Sequence, residues 1–287
     1  MKVVVIGSQG QLGSDIVSSL ILDHEVVALS HGDIDVTIPK SCEILEIYNP
    51  DIVINTAAYV RVDECEENPK KAFAVNAIGA KNVCEVCEEV GALVVFISTD
   101  YVFDGKKDEP YTEKDTPHPV NTYGISKLAG EMYTRLAPQH YVFRVASLFG
   151  VRGASGKGGN FVETIVKKAN AGESLAVVDD TVMSPTFTKD AASAIVEVLE
   201  SQLPSGVYHT TNTGYCSWFE FARTIVELVG ADASVLPIKS ASLSQGARRP
   251  PFSALKSEAL ASHGLKMRHW KQALRAHLAM KGHIQQE

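Results

Sequence analysis

The chain begins with an arrangement that few folds accommodate. Lys2-Val3-Val4-Val5-Ile6 is an apolar, β-branched run of the kind that forms a strand buried on both faces of a parallel sheet. Gly7-Ser8-Gln9-Gly10-Gln11-Leu12-Gly13 breaks it, and a helical pattern follows from Ser14 to Leu22. Strand, glycine turn and helix in that order let the backbone approach a pyrophosphate, which the free N–H groups of the helix N-terminus attract. A glycine-rich run alone is weak; after a first buried strand it predicts a chain that opens as a βαβ unit.

The rest of the first half continues that pattern. Residues 25–29 read as a second strand, 41–48 as a helix, and 51–55 as a buried strand with the small-residue exit Thr56-Ala57-Ala58-Tyr59-Val60. Residues 62–69 are acidic and read as a loop, and 73–90 carry helical spacing that includes Asn76. Ala92 to Ile97 is another buried strand, ending in Ser98-Thr99-Asp100-Tyr101-Val102-Phe103-Asp104-Gly105, and 141–145 leads into Ser147-Leu148-Phe149-Gly150. Strands alternating with helices imply right-handed crossovers. The expected fold is therefore α/β, a Rossmann-type doubly wound parallel sheet with helices on both faces and a smaller α/β substrate-binding domain.

In the second half, the glycine-rich residues 153–160 are read either as a mobile loop at a substrate mouth or as a plain surface loop. Helices are expected at 161–171, 189–199, 218–229 and 267–280, strands at 174–178 and 206–210, and a rigid turn at Ser184-Pro185-Thr186. The domain expectation is 1–150 for dinucleotide binding, with segments near 186–215 returning to it, and 151–185 with 216–287 for the smaller domain.

Composition narrows the function. With 287 residues, 45% of them hydrophobic, the chain can bury a large core. Its net charge of -7 with no basic block argues against nucleic acid or an anionic membrane surface, so small-molecule partners are expected. No apolar run reaches the roughly 20 residues that a membrane helix needs, and a cytoplasmic protein is expected. Five cysteines, Cys42, Cys65, Cys84, Cys87 and Cys216, give an odd count without framework spacing, as reduced thiols do. Cys84 and Cys87 match Cys-x-x-Cys inside a helical stretch but have no second pair to complete a zinc site, and the nine histidines show no metal spacing. No metal is expected.

The chemistry is concentrated in Asn121-Thr122-Tyr123-Gly124-Ile125-Ser126-Lys127. On a helix, Tyr123 and Lys127 share a face, and a neighbouring cation lowers a phenol pKa from about 10 toward the range useful for proton transfer. Alone, the pair also fits an ordinary helix face. Thr99, a hydroxyl at the carboxyl end of a buried strand, stands where open α/β sheets bind ligands, which favours the functional reading. After the second strand, Ser30 occupies the position where an acid would repel a 2′-phosphate, so the site should admit NADPH. Asp33 and Ile34 lie near the expected adenine pocket, although acids in a polar loop are also read as merely solvated.

Taken together, Gly7 to Gly13, Asn55 to Val60, Ser98 to Gly105, Tyr123 to Lys127 with Gly130-Glu131, Asn160-Phe161-Val162, Ser184-Pro185-Thr186 and Arg249-Pro250 resemble the extended short-chain dehydrogenase/reductases. Within that group the chain is similar, nearly end to end, to the dTDP-4-dehydrorhamnose reductase family. The resemblance implies NAD(P)H-dependent reduction of a nucleotide-linked 4-keto-6-deoxy sugar, with NADPH or NADH as cofactor and a lean toward NADPH. It implies Tyr123 as proton donor, Lys127 as its partner and ribose anchor, and Thr99 as the hydroxyl that orients the ketone. Gly7, Gly10, Gln11, Leu12, Gly13, Ala58, Tyr59 and Val60 would line the cofactor. Thr99, Asp100 and Asn160 would contact the sugar.

Two positions depart from the family pattern: Ser147 stands where an aromatic residue, Trp, is frequent, and Ser30 replaces a frequent acid. A nucleotide-sugar epimerase remains an alternative. Dehydratases of this superfamily carry Asp-Glu where this chain has Asp100-Tyr101, which leans away from them. A rival of another class is a non-enzymatic regulatory subunit like that of methionine adenosyltransferase. A homodimer is compatible with all these readings.

Overall fold

A computed structural model describes residues 1–152, 159–244 and 246–285. The N-terminal half runs β1 (Lys2–Ile6), α1 (Gln11–Leu20), β2 (Glu25–Leu29), α2 (Pro39–Cys42), α3 (Ile44–Tyr48), β3 (Ile52–Asn55), α4 (Val62–Glu67), α5 (Pro69–Phe73), a π-helical turn (Ala74–Ile78), α6 (Gly79–Val90) and β4 (Leu93–Thr99). It continues through α7 (Thr122–Thr134), β5 (His140–Val145) and β6 (Leu148–Phe149). Then come α8 (Phe161–Asn170), β7 (Leu175–Val178), β8 (Val182–Met183), β9 (Thr186–Phe187), α9 (Thr188–Glu200) and β10 (Gly206–His209). The chain ends with β11 (Cys216–Ser217), α10 (Trp218–Val229), β12 (Val235–Ile238), α11 (Glu258–Ser262) and α12 (Trp270–Met280).

Six strands form one sheet in the order β10-β5-β4-β3-β1-β2, every pair parallel. Alternation within β1 explains why the sheet is covered twice. Val3 and Val5 join a core with Leu12 and Ile16 of α1 and Ile195 and Val198 of α9. Val4 and Ile6 point the other way, into a core with Leu45, Val83 and Cys87. A third apolar cluster lies apart from both, built from Val162 and Val166 of α8, Phe187, Phe221 and Ile225 of α10, and Trp270 and Leu274 of α12. Its strands are short pairs, β7 with β12 and β8 with β11.

The structure corrects several boundaries. Residues 62–69, expected as loop, form α4 and the start of α5, because Asp63 and Glu64 suit a first helical turn and Pro69 follows the cap Asn68, whose side chain accepts from Lys71 N. The helix expected over 41–48 divides at Glu43 into α2 and α3, and the last helix begins at Trp270, capped by His269. Residues 153–158 of the expected glycine-rich loop lie outside the described residues. No helix among the described residues is long and apolar enough to cross a membrane.

The order of the strands positions the site. β1 has β3 on one side and β2 on the other, so the chain's crossovers diverge there and leave a crevice beyond the carboxyl ends of the strands.

Candidate functional site

A cleft of about 980 Å³ opens at that crevice. Its floor is the set of strand exits: Gly7 after β1, Thr56 after β3, Thr99 at the end of β4 and Ser147 after β5.

At one end the glycine turn leaves no space for side chains. Gly7 adopts φ +77°, which favours glycine, and a Cβ there would meet Thr56 Oγ1 at 2.5 Å. A Cβ on Gly13 would meet the Gly7 carbonyl oxygen at 2.4 Å, so α1 packs directly on the turn. Gly10 precedes the first residue of α1 without a side-chain cap, leaving backbone N–H groups at the helix start. Gln11 is buried, lines the cleft, and its Nε2 has no hydrogen-bond partner. Buried donors without acceptors at a helix N-terminus suit an anion, and the cradle fits a dinucleotide.

Leu12, Gly13, Ser30, Ile34, Ala58, Tyr59 and Val60 also line this end. The segment Ala58–Val60 is held by Asn76: its Oδ1 accepts from Tyr59 N at 2.8 Å, and its Nδ2 donates to Tyr59 O and, at 2.9 Å, to Ser126 Oγ of α7. Asn76 sits in the π-helical turn, where one wide turn redirects a side chain inward.

Ser30, expected as a neutral hydroxyl at the end of β2, is bonded to a nearby acid. Its N–H and Oγ donate to Asp33 Oδ2 at 2.8 and 2.6 Å, and these bonds, the side-chain one first, hold the Asp33 carboxyl below its usual range. An acid three residues later thus reaches the end of β2. Asp33 itself is exposed and is not part of the cleft wall.

The reactive side chains come together at the middle of the cleft. Asn121 caps α7, its Oδ1 accepting from Gly124 N at 2.8 Å while its Nδ2 donates to Arg248 O. This fixes the helix that carries Tyr123 and Lys127. Gly124 lets the helix start press on Tyr101, since a Cβ would meet that residue's carbonyl oxygen at 2.1 Å. Tyr123, Lys127, Thr99 and Asp100 all line the cleft.

Lys127 shares the cleft with Tyr123 and is anchored on β4. Its Nζ donates to the Ile97 carbonyl at 2.6 Å and stands 4.0 Å from the centre of the Phe96 ring, and burial pushes its pKa down to about 7, opposed by Glu131. Burial moves the Tyr123 phenol above its usual range, a shift that its interaction with Thr99 opposes and the charge of Asp100 reinforces. Beneath Lys127, Glu131 accepts from Ser98 Oγ at 2.5 Å and from Arg144 Nε and Nη2 at 2.9 and 2.7 Å. This buried, fully paired rung ties α7 to β4 and β5.

Asp100 is buried and pushed up to about 6 by that burial, against lowering hydrogen bonds from Ser253 and Thr99. Asn160 lines the cleft, but its amide caps α8 through Glu163 N at 3.0 Å and donates to Gly150 O at 2.8 Å, so its polar atoms are already committed. Ser147, where an aromatic residue was expected by resemblance, adopts φ +42° at the cleft wall. The apolar wall comes instead from Phe161 and Trp218, rings 4.7 Å apart and crossed at 62°. Trp218 was not singled out from sequence; the available signal was a Trp directly after Ser217, the capping residue of α10.

The family model described as the RmlD substrate binding domain matches residues 1–282. The chain belongs to this family. It is 39% identical over 280 residues to the spore coat polysaccharide biosynthesis protein SpsK of Bacillus subtilis, covering 96% of each chain. It is 38% identical to a dTDP-4-dehydrorhamnose reductase of Mycolicibacterium smegmatis, covering 95% of this chain and 84% of the relative. Among solved structures, a dTDP-4-dehydrorhamnose reductase from Bacillus anthracis in complex with NADP superposes with a TM-score of 0.92 at 34% identity, over 97% of this chain and 99% of the other. For a member of the RmlD substrate binding domain family, the glycine cradle and the Thr99, Tyr123 and Lys127 cluster stand in one continuous cleft.

Proposed function

We propose that the chain reduces a nucleotide-linked 4-keto-6-deoxy sugar, dTDP-4-dehydrorhamnose first among candidates, using NADPH or NADH. The observation that carries this reading is the convergence of Thr99, Tyr123 and Lys127 beside the glycine cradle in a single cleft. The names of the relatives and the NADP bound to one of them support it.

The backbone of Gly7 and of Gly10 to Gly13 would hold the pyrophosphate, with Gln11 as a further donor, while Ala58 to Val60 would flank the nucleotide and Lys127 would anchor the ribose beside the nicotinamide. The bound cofactor supplies the hydride to the ketone carbon. Tyr123 supplies the proton to the ketone oxygen. A raised phenol pKa keeps that proton in place until the oxygen becomes basic, which suits an acid working in the direction of reduction. Thr99, at the same end of β4, orients the oxygen. The sugar would rest toward Asp100, Phe161 and Trp218, with residues 151–185 and 216–287 forming the substrate-binding part and 1–150 the dinucleotide-binding part.

The five free, buried cysteines support a cytoplasmic location. The test is consumption of reduced nicotinamide on adding dTDP-4-dehydrorhamnose. A protein that binds NADPH yet turns over no nucleotide-linked ketone would point to the regulatory-subunit reading.

A further inference from the structure

Thr99 carries a single hydroxyl proton, and three groups compete for its oxygen. Oγ1 accepts from Tyr101 N at 3.2 Å, donates to Asp100 Oδ1 at 3.1 Å, and interacts with the Tyr123 phenol in the shared cleft. While Asp100 is ionised, the Thr99 proton is drawn to the carboxylate, and Thr99 can only accept from Tyr123. It cannot then donate to a ketone oxygen or to a phenolate. A proton on Asp100 reverses this chain: Asp100 donates to Thr99, and Thr99 donates onward. The proton would sit on Oδ1, because Oδ2 already accepts from Ser253 Oγ at 2.5 Å. Asp100 is 3% exposed, and the Thr99 hydroxyl bonded to its Oδ1 offers a route toward the reacting atoms.

We propose that Asp100 is the proton source that refills Tyr123 through the Thr99 hydroxyl in each turnover. The proposal rests on the reductase reading and deepens it. After Tyr123 has given its proton to the sugar oxygen, the phenolate takes the Thr99 hydroxyl proton while Thr99 takes the Asp100 carboxyl proton. One O–H bond forms at Tyr123, one breaks and one forms at Thr99, and one breaks at Asp100. The carboxylate left behind recovers a proton from water when the product leaves. A buried carboxyl titrating at about 6 can both release and regain a proton near neutrality.

Of the groups around Asp100, Lys127 titrates near that pH, pushed down to about 7 by burial, so the limb that belongs to Asp100 is the one that Asp100→Asn removes. Tyr101 on the same turn is held protonated by burial, and the Arg249 and Asp63 charges that reach it are paired with each other at 2.7 Å. Tyr123 on α7 is likewise held protonated, and Cys65 of α4 faces Tyr123. Lys127, one turn further along α7, is turned to Ile97 O.

The experiment compares kcat and KM against pH, and the solvent isotope effect, for the wild type, Asp100→Asn and Ser253→Ala with dTDP-4-dehydrorhamnose and NADPH. In the wild type, kcat/KM should fall about tenfold per pH unit above a limb set by Asp100. Asp100→Asn keeps the shape and most hydrogen bonds but has no proton to pass on. It should lose that limb and about 10²-fold in kcat, with NADPH affinity and melting temperature near those of the wild type. Ser253→Ala removes a bond that favours the carboxylate, so the limb should move to higher pH. An Asp100→Asn protein with wild-type kcat and pH profile and only a raised KM would overturn the relay and leave a sugar contact. If Asp100→Asn fails to fold, an unmoved limb in Ser253→Ala overturns the proposal by itself. A wild type that binds NADPH but reduces no ketone would overturn the reductase reading, and the relay with it.

Discussion

Tyr123 stands where burial opposes ionisation, and the expected chemistry depends on that. Tyr123→Phe keeps the ring but removes the proton, so kcat should fall by about 10²- to 10⁴-fold while NADPH affinity measured by calorimetry stays unchanged. Lys127→Met should weaken both turnover and cofactor binding, because the lysine is proposed to hold the ribose as well as to share the proton-transfer face. Asp33 gives a third prediction at this scale. Its charge lies beside Ser30, where it disfavours a 2′-phosphate, but it is exposed and therefore screened. NADPH should bind at least as well as NADH, and Asp33→Asn should raise the NADPH to NADH affinity ratio by several-fold, less than the tenfold that corresponds to about 1.4 kcal/mol. A titration in which Asp33→Asn leaves the ratio untouched would show that the carboxylate does not face the adenosine end.

At the scale of elements, the site depends on close approach between α1 and the turn before it, and between α7 and β4. Gly10→Val would put a branched side chain 3.1 Å or less from the Gly7 carbonyl and into the path of a pyrophosphate. Cofactor binding should be abolished with the circular dichroism spectrum retained. Gly130 lies where α7 crosses Phe96 and the π-helical turn, and a Cβ there would meet Asn76 O at 2.3 Å and the Phe96 ring at 2.6 Å. Backbone cannot yield cheaply, so Gly130→Ala should destabilise the fold by about 1–3 kcal/mol, read as a lowered urea midpoint at unchanged slope. It should also loosen the Asn76 contacts that hold Tyr59 and Ser126.

For the whole molecule, His209 joins the sheet to the C-terminal segment. Its Nδ1 faces the carbonyls of Tyr111 and Lys256, both at 3.1 Å, so Nδ1 carries the proton, and Nε2 faces Arg144 Nη1 at 3.4 Å. A second proton on Nε2 would meet the guanidinium. Burial first, and Arg144 next, push its pKa down to about 3 from the usual 6.5. The unfolded chain therefore binds more protons than the folded one between about pH 3 and 6.5, and this contribution to stability is complete above 6.5 and is lost as the pH falls toward 3. Against His209→Gln, the wild-type advantage in unfolding free energy should grow with pH through that window, by at most about 1.4 kcal/mol per unit, and level off above it. Taking the difference removes Asp100, whose raised pKa acts with the opposite sign between about 3.8 and 6.

Much of the fold is legible in local pattern. The apolar runs at Lys2–Ile6 and Leu93–Thr99 become central strands because β-branched residues on both faces have nowhere to go except between two layers of helix. Gly7, Gly10 and Gly13 mark the cradle, since only a residue without a Cβ fits those approaches, and the four-residue spacing of Tyr123 and Lys127 puts them on one helix face. What the sequence by itself determined is therefore the alternation of strand and helix, the cradle and the reactive face. Tertiary structure decided which groups act on them. Lys127 turns to the Ile97 carbonyl, Asp33 folds back on Ser30, Ser253 arrives from 153 residues away to bond Asp100, and Trp218 joins Phe161 in the cleft wall. Spacing along a chain sets which side chains share a face, but burial and partners brought from distant segments set their charge, and these exist only once the layers have packed.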